Sequence, residues 1–334
     1  MKTIRTGVIG VGYLGRFHAH KYAAMEGVEL VGVADPDDKR AQLVAGECTC
    51  RAFADAAGLL QHGVDAVSVV APTSLHYDIG TYCLQAGIDV LMEKPITVTL
   101  AEADGLLNLA QAHGCILQVG HLERFNPAVL TMEPLLTHPL FIEAHRLAVF
   151  KDRGTDVDVV LDLMIHDIDL ILAMVNAPLE TIHTVGAPVI TGLTDIANAR
   201  LIFTNGCTAN VTASRISMDN SRRLRIFQPG HYISLDFAKK EVMTVQMQQL
   251  ENGTIPQPDI HRHRVQDQDA LELEIRDFVT AVRTRNPPRV PGQAGRQALA
   301  LALQIVEQIN LHRGRVEESL HQSARGVAPF PASS

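Results

Sequence analysis

Short apolar runs and amphipathic stretches alternate along the first 120 residues of the chain. Residues 6–10, 28–35, 65–71, 88–92 and 115–120 are brief, mostly apolar and bounded by turn residues, which predicts buried strands. The stretches between them, including 13–25, 74–86 and 100–113, carry apolar residues at helical spacing. This interleaving predicts an α/β domain with a parallel, doubly wound sheet. Gly87 and Gly114 fall just past helical runs, where helix C-caps sit, and a strand follows each.

The pattern changes after residue 120. A short helix (127–133) and a strand (141–150) precede a long apolar helix (157–175), and then alternating strands cluster at 181–190, 198–204, 208–216, 224–228, 232–237 and 241–246. Strands grouped in this way predict an α+β domain with a large, mainly antiparallel open sheet. Residues 252–266 contain Asn252-Gly253, Pro256 and Pro258 and read as a surface loop. Two helices, 267–285 and 294–312, close the fold, and a polar tail follows. The expected organisation is a dinucleotide-binding domain over 1–120, a substrate-binding and oligomerisation domain over 121–313, and a tail over 314–334.

Composition narrows the class. With 334 residues, 46% hydrophobic and 20% charged, the chain can bury two ordinary cores. Its formal charge of −8 argues against nucleic-acid or anionic-membrane partners, which call for basic surfaces. Cys48, Cys50, Cys83, Cys115 and Cys207 form no CxxC pair, so neither a disulfide framework nor a zinc site is expected. No apolar run reaches the roughly 18 residues of a membrane span. The expectation is a cytoplasmic protein with reduced thiols and no bound metal.

Candidate chemistry starts at the first strand–helix turn. Gly10-Val11-Gly12-Tyr13-Leu14-Gly15 follows a strand and opens a helix. In such a loop the first glycine permits the turn, the second admits a pyrophosphate to the helix N-terminus, and the third allows close packing. Asp35 ends the second strand, where a carboxylate binds the ribose 2′-hydroxyl. Pro36, Asp37 and Asp38 follow it and disfavour a 2′-phosphate, so NAD is expected over NADP, with Lys39 and Arg40 as opposing charges. Ala71-Pro72-Thr73 ends the third of these strands and His76 opens the next helix, a shelf suited to the nicotinamide ribose; an ordinary βα loop is the plainer alternative.

The fourth strand ends at Glu93-Lys94-Pro95. Ligands in open α/β sheets bind outside the carboxyl ends of the strands, which puts Lys94 and Glu93 at the expected cleft. Farther on, Asp158, Asp162, His166 and Asp169 fall within about 80° of arc on an otherwise apolar helix, at about 100° per residue. A solvent-facing stripe is one reading, and the lining of a polar cleft is the other. Oxidation of an alcohol by NAD needs a base for the hydroxyl proton. Lys94, Asp162 and His166 are the candidates, with either Lys94 or His166 as the base. His261 and His263 lie in the expected loop and read as solvated.

These marks together resemble the glucose–fructose oxidoreductase/inositol dehydrogenase (GFO/IDH/MocA) family. The resemblance rests on the glycine loop, Ala71-Pro72-Thr73 with His76, Glu93-Lys94-Pro95, and Asp162 four residues before His166, and it extends to about residue 312. It implies a Rossmann domain, oligomerisation (a homodimer or homotetramer) through the exposed face of the second sheet, and NAD(P)-dependent redox chemistry at a sugar or cyclitol carbon. It also implies that Lys94, Asp162 and His166 serve the reacting hydroxyl. His121, Arg124 and Asn126 would face cofactor or substrate. The stretch from Gly120 to Ala128, with His145-Arg146 and the run from Arg153, looks like the branch that oxidises the 3-hydroxyl of UDP-N-acetylglucosamine, which feeds lipid A synthesis. Arg124, Arg146, Arg153, Arg215, Arg222 and Arg223 are candidates for the diphosphate. A free-sugar or inositol dehydrogenase is the alternative within the family, and a non-catalytic NAD-binding regulator is the alternative outside it.

Overall fold

The structure, a computed structural model, describes residues 2–150, 157–247 and 257–326, with no side-chain description for Met247 and residues 317–326. Its first half runs β1 (Ile4–Ile9), α1 (Tyr13–Ala24), β2 (Val28–Ala34), α2 (Asp38–Cys48), β3 (Arg51–Phe53), α3 (Ala56–Leu60), β4 (Ala66–Val69), α4 (His76–Gln85), β5 (Asp89–Glu93), α5 (Leu100–His113) and β6 (Leu117–Gly120). The six strands form one sheet in the order β3-β2-β1-β4-β5-β6, with parallel pairing throughout. This is the doubly wound arrangement expected from the alternating pattern. Strand order reverses between β1 and β4, and that switch point lies beside the glycine loop.

Local chemistry explains the element ends. Thr99 and Glu102 form a reciprocal capping box at α5, and Gly114 ends that helix in the left-handed conformation at φ 65°. Asp37 caps α2 by accepting from the Arg40 N–H. The edge strand β3 is absent from the pattern-based reading because three residues are too few to show a period. It pairs Arg51–Phe53 with Gly32–Ala34.

The second half continues with α6 (Pro127–Met132), β7 (Phe141–Leu147), α7 (Ile165–Val175), β8 (Leu179–Ala187), β9 (Ile196–Phe203), β10 (Thr208–Ser214), β11 (Ser221–Gln228), β12 (His231–Asp236), β13 (Glu241–Met247), β14 (Pro258–His263), α8 (Ala270–Thr284) and α9 (Gly292–Gly326). Eight strands form a sheet in the order β14-β13-β12-β11-β7-β10-β9-β8. Pairing is antiparallel at β8–β9, β9–β10, β7–β11 and β11–β12, and parallel at β7–β10. The mainly antiparallel open sheet is therefore present.

Three expectations are corrected. Residues 258–263, assigned to a loop, form the edge strand β14, whose exposed side chains hid the strand period. The polar tail after Arg313 continues as helix to Gly326, since polar composition alone does not stop a helix of good helix formers. The helix expected over 157–175 is π-helical at Val160–Met164 and α-helical only from Ile165.

The chain forms two compact units: residues 1–136, 240–242 and 262–300, and residues 137–239, 243–261 and 301–334. The first unit thus runs past the boundary expected at 120 and takes in α8. The apolar face of α8 (Leu271, Ile275, Phe278, Val279, Val282) shares one core with Ile4, Val8, Tyr22 and Leu91.

Candidate active site

The glycine loop is shaped by close backbone approaches. Gly10 takes φ +86°, and a Cβ there would stand 2.6 Å from the Val70 carbonyl oxygen. A Cβ on Gly15 would stand 1.9 Å from the Gly10 carbonyl oxygen. Gly12 is different, because nothing lies within 4 Å of the place its Cβ would take. The α1 N-terminus has no side-chain cap and no acidic residue in its first turn. Open space, uncapped N–H groups and the helix dipole together suit a pyrophosphate. Beside the loop lies a cleft of about 840 Å³, lined among others by Gly10, Gly12, Asp35, Arg40, Ala71 and Pro72. Tyr13 is exposed and packs edge-on against Phe17, and Leu14 is half-buried.

Asp35 lines this cleft, yet its carboxylate already has partners. It accepts the Val11 and Asp37 N–H groups at 2.9 Å each, and Arg40 Nη1 donates to it at 3.3 Å. The side chain expected to hold a ribose hydroxyl thus also braces the glycine loop, and Arg40 sets a positive charge at the same edge.

The parallel pairing of β4 with β5, Val69 opposite Met92, places Ala71-Pro72-Thr73 and Glu93-Lys94 at one carboxyl edge of the sheet. His76 ties the two together. Its Nδ1 lies 2.9 Å from the Pro95 carbonyl oxygen and its Nε2 lies 2.9 Å from that of Ala71. The ring is 1% exposed, and through these two contacts His76 holds the two strand ends. Thr73 opens a 3-10 turn, Thr73–Leu75, that leads into α4.

Below Lys94 lies a polar cluster that the sequence pattern did not bring forward. The Lys94 N–H donates to Glu93 Oε2 at 3.1 Å, while Glu93 Oε1 lies 3.3 Å from His18 Nε2. His18 Nδ1 lies 3.2 Å from Ser68 Oγ, which is 2.8 Å from the Tyr22 hydroxyl. Glu274 of α8 completes the group: ligand atoms of His18, Glu93 and Glu274 all fall within 4.8 Å of one another. Glu274 is 0% exposed, and neither of its carboxylate oxygens accepts a hydrogen bond among the described residues. Burial raises its pKa well above the ordinary 4.5, and the charges of Glu93 and Asp277 raise it further. Gly120 makes the room, since a Cβ there would stand 3.0 Å from the Glu93 carboxyl carbon. One signal was available in the sequence. Glu274 falls three residues after Leu271 and four before Phe278, on the apolar face of its helix.

The residues leaving β6 are largely internal. His121 is 1% exposed. Asn126 accepts the Ala128 N–H at 3.0 Å and donates to Glu123 at 3.0 Å, capping α6 with Pro127 behind it. Asn126, expected to face cofactor or substrate, serves as this helix cap. Arg124 and Arg289 exchange side-chain-to-carbonyl hydrogen bonds at 3.5 and 2.9 Å.

In the second unit, Asp162 sits in the π-helical turn and His166 in the first turn of α7, and both are half-buried. A stripe drawn at a uniform α-helical angle does not survive a π turn. Asp158 is 9% exposed and accepts the Val160 N–H at 2.9 Å, and Asp167 and Asp169 are 1% and 3% exposed. The solvent-facing reading of this helix is thereby excluded. Arg146, expected at the diphosphate, is 4% exposed, holds Asp167 through two bonds of 2.8 and 2.9 Å, and lies over the Phe237 ring. These contacts make Arg146 part of an internal ion pair. Arg215 is likewise 7% exposed and donates to the Val157 carbonyl at 2.5 Å. Arg222 and Arg223 are exposed on β11. Arg153 lies outside the described residues.

Comparison with known proteins places both halves. Residues 4–121 match the model described as an oxidoreductase family with an NAD-binding Rossmann fold, and residues 141–228 match the GFO/IDH/MocA C-terminal domain. The chain is 43% identical over 306 residues to UDP-N-acetylglucosamine 3-dehydrogenase of Acidithiobacillus ferrooxidans, spanning 90% of this chain and 96% of that one. A solved structure of that enzyme superposes with a TM-score of 0.86 at 41% identity, covering 92% and 98% of the two chains. The scyllo-inositol 2-dehydrogenase (NAD(+)) of Bacillus subtilis is 28% identical over 64% of this chain and 68% of its own.

Proposed function

The chain belongs to the GFO/IDH/MocA oxidoreductase family, and from that premise we propose that it oxidises the 3-hydroxyl of UDP-N-acetylglucosamine to a ketone with NAD. The observation that carries this reading is the 43% identity across nearly the whole length of the Acidithiobacillus enzyme, against 28% over a shorter span for the inositol enzyme. In the reaction the C3 hydrogen leaves as hydride, the hydroxyl proton goes to a base, and the carbon–oxygen double bond forms. The bound dinucleotide supplies the hydride acceptor. Gly12 and the α1 N-terminus would hold its pyrophosphate in the cleft that Asp35, Ala71 and Pro72 line. Asp35 and its acidic neighbours favour NAD, and Arg40 is the group an NADP reading would use.

Lys94, at the carboxyl end of β5, hydrogen-bonds the reacting oxygen. The hydroxyl proton goes to Lys94 or His166, and Asp162 orients His166 or stabilises its charged form. The product ketone suits later transamination in amino-sugar synthesis for lipid A or surface polysaccharide, in the cytoplasm. A homodimer or homotetramer through the open sheet agrees with Val185, Ile196 and Phe227 on that sheet, each more than a third exposed. Among the described residues no helix is long and apolar enough to cross a membrane.

The test is NADH formation with a panel of UDP-sugars and free polyols, NAD against NADP, with an aminotransferase and glutamate trapping the ketone. Turnover of UDP-N-acetylglucosamine is expected; good turnover of inositol with none of the nucleotide sugar would replace this reading with the inositol one. Binding of NAD without turnover of any substrate would make the chain a regulator. Lys94→Met is expected to lower kcat by about 1000-fold and to leave NAD affinity within severalfold.

A further inference from the structure

His18, Glu93 and Glu274 come from α1, the end of β5 and α8, and they meet in a largely buried site. The side chains of His18 and Glu93 are 0% and 12% exposed, and Glu274 is 0% exposed. Two carboxylates this close in an apolar core cannot both carry charge cheaply, because desolvation and mutual repulsion act together. A shared proton resolves the conflict, as in any pair of buried like-charged acids. We propose that Glu274 is a positioning residue: as a neutral carboxylic acid it donates a hydrogen bond to the Glu93 carboxylate and so fixes the strand end that carries Lys94. This rests on the reading of Lys94 as the group that meets the reacting hydroxyl.

Three groups surround the Glu93 carboxylate: one hydrogen-bond donor, one imidazole in charge contact, and one carboxyl. The Lys94 backbone N–H reaches Oε2 at 3.1 Å. His18 Nε2 faces Oε1 at 3.3 Å, and with Nε2 protonated, Nδ1 accepts from Ser68, whose Oγ in turn accepts from Tyr22. The Glu274 hydroxyl is the third, which would pair a buried carboxyl whose two oxygens otherwise have no hydrogen bond among the described residues. A carboxylate held from three sides at the end of β5 has little freedom, and Lys94 is attached to the peptide it holds. Reacting groups lose about 100-fold in rate when displaced by about 1 Å, so a support of this kind acts on kcat while leaving the binding surfaces intact.

The charged and titratable groups on elements packed against Glu274 are few. From α1 come His18, Tyr22 and Lys21, the last turned to Asp269 and Glu272. From β5 comes Glu93, and from the turn after β6 come Glu123 and Arg124. On its own helix Asp277 accepts the Arg289 N–H at 2.8 Å. Glu274 is therefore the acid whose ionisation would put a second negative charge beside Glu93 and loosen the strand end as pH rises.

The experiment compares Glu274→Gln with Glu274→Leu in the full-length enzyme. Gln keeps the shape and a donor, whereas Leu keeps similar bulk and removes the donor. Glu274→Leu is expected to lower kcat by about 100-fold with NAD affinity and the sugar KM near wild type. Glu274→Gln is expected to hold near-wild-type kcat and to lose an alkaline step from the pH profile of kcat. Infrared difference spectra provide a reading that needs no substrate: a protonated carboxylic-acid band present in wild type and absent in both variants. Wild-type kcat in Glu274→Leu, an equal loss in Glu274→Gln, or absence of the infrared band would overturn the inference. So would a stoichiometric divalent metal found by elemental analysis in wild type and lost in Glu274→Leu. If the wild type turns over a polyol in place of UDP-N-acetylglucosamine, the same comparison is made on that substrate, so failure of the substrate reading stays separate from failure of this one.

Discussion

The two units each bury a charged cluster, and the clusters solve opposite problems. Arg146 and Asp167 are a complementary pair, joined by two bonds under 3 Å and covered by Phe237. Their charges are opposite and offset one another. Glu93 and Glu274 are a like-charged pair beside His18, and their charges add unless a proton intervenes. The first arrangement holds β7 to α7. The second depends on solution conditions, and it lies directly under the residue read as the reacting lysine. A buried charge is thus no guide to function by itself; what matters is whether its neighbours complete it.

That contrast can be broken at either cluster. The largest effect is expected from Arg146→Ala, which strands the Asp167 carboxylate in the core and should cost about 3–5 kcal/mol in denaturant melts. The double change Arg146→Met with Asp167→Leu should recover most of that stability, because replacing a buried pair by apolar residues is often neutral. It should also leave the KM for the nucleotide sugar unchanged. A raised KM in the double variant would return Arg146 to the substrate site.

The like-charged cluster should show itself in stability against pH. Glu274 has a raised pKa in the fold because of burial and the charges of Glu93 and Asp277. The native state therefore holds a proton that the unfolded chain releases near 4.5. With more protons bound in the folded state, stability is fully present below 4.5 and falls as pH rises toward the folded pKa. One proton gives a slope of at most about 1.4 kcal/mol per pH unit. Glu274→Gln should remove that slope, and melting temperatures measured across the pH range will check it. Equal slopes in the two proteins would show that Glu274 ionises freely in the fold.

The smallest effect is expected at Gly120. A Cβ there would meet the Glu93 carboxyl at 3.0 Å, so the carboxyl must give by a few tenths of an ångström. Gly120→Ala should lower kcat severalfold while the melting temperature changes little. An unchanged kcat would show that the position of Glu93 does not govern Lys94.

Much of the cofactor region was legible because it is written in consecutive residues. Gly10, Gly12 and Gly15 shape a turn through their own backbone, and a strand before and a helix after them are enough to place it. The same holds for Glu93-Lys94-Pro95, where an apolar run ends at a charged pair. The π-helical turn at Val160–Met164 was not legible, because an angle of 100° per residue assumes the helix it is meant to test. Composition likewise could not say that Arg146, Asn126 and His76 would be used up by protein partners, since each residue type serves ligands and internal contacts alike.

The sequence by itself determined the alternation of strand and helix, the glycine loop and the chemistry available at the end of β5. It did so because those features depend on neighbours a few positions apart. Only the tertiary structure decided which charges are complete and which are not. Glu274 lies 181 positions after Glu93, and their meeting follows from α8 returning to the core formed by β1, α1 and β5. Pairing across such a separation is set by packing, and no period or motif along the chain records it.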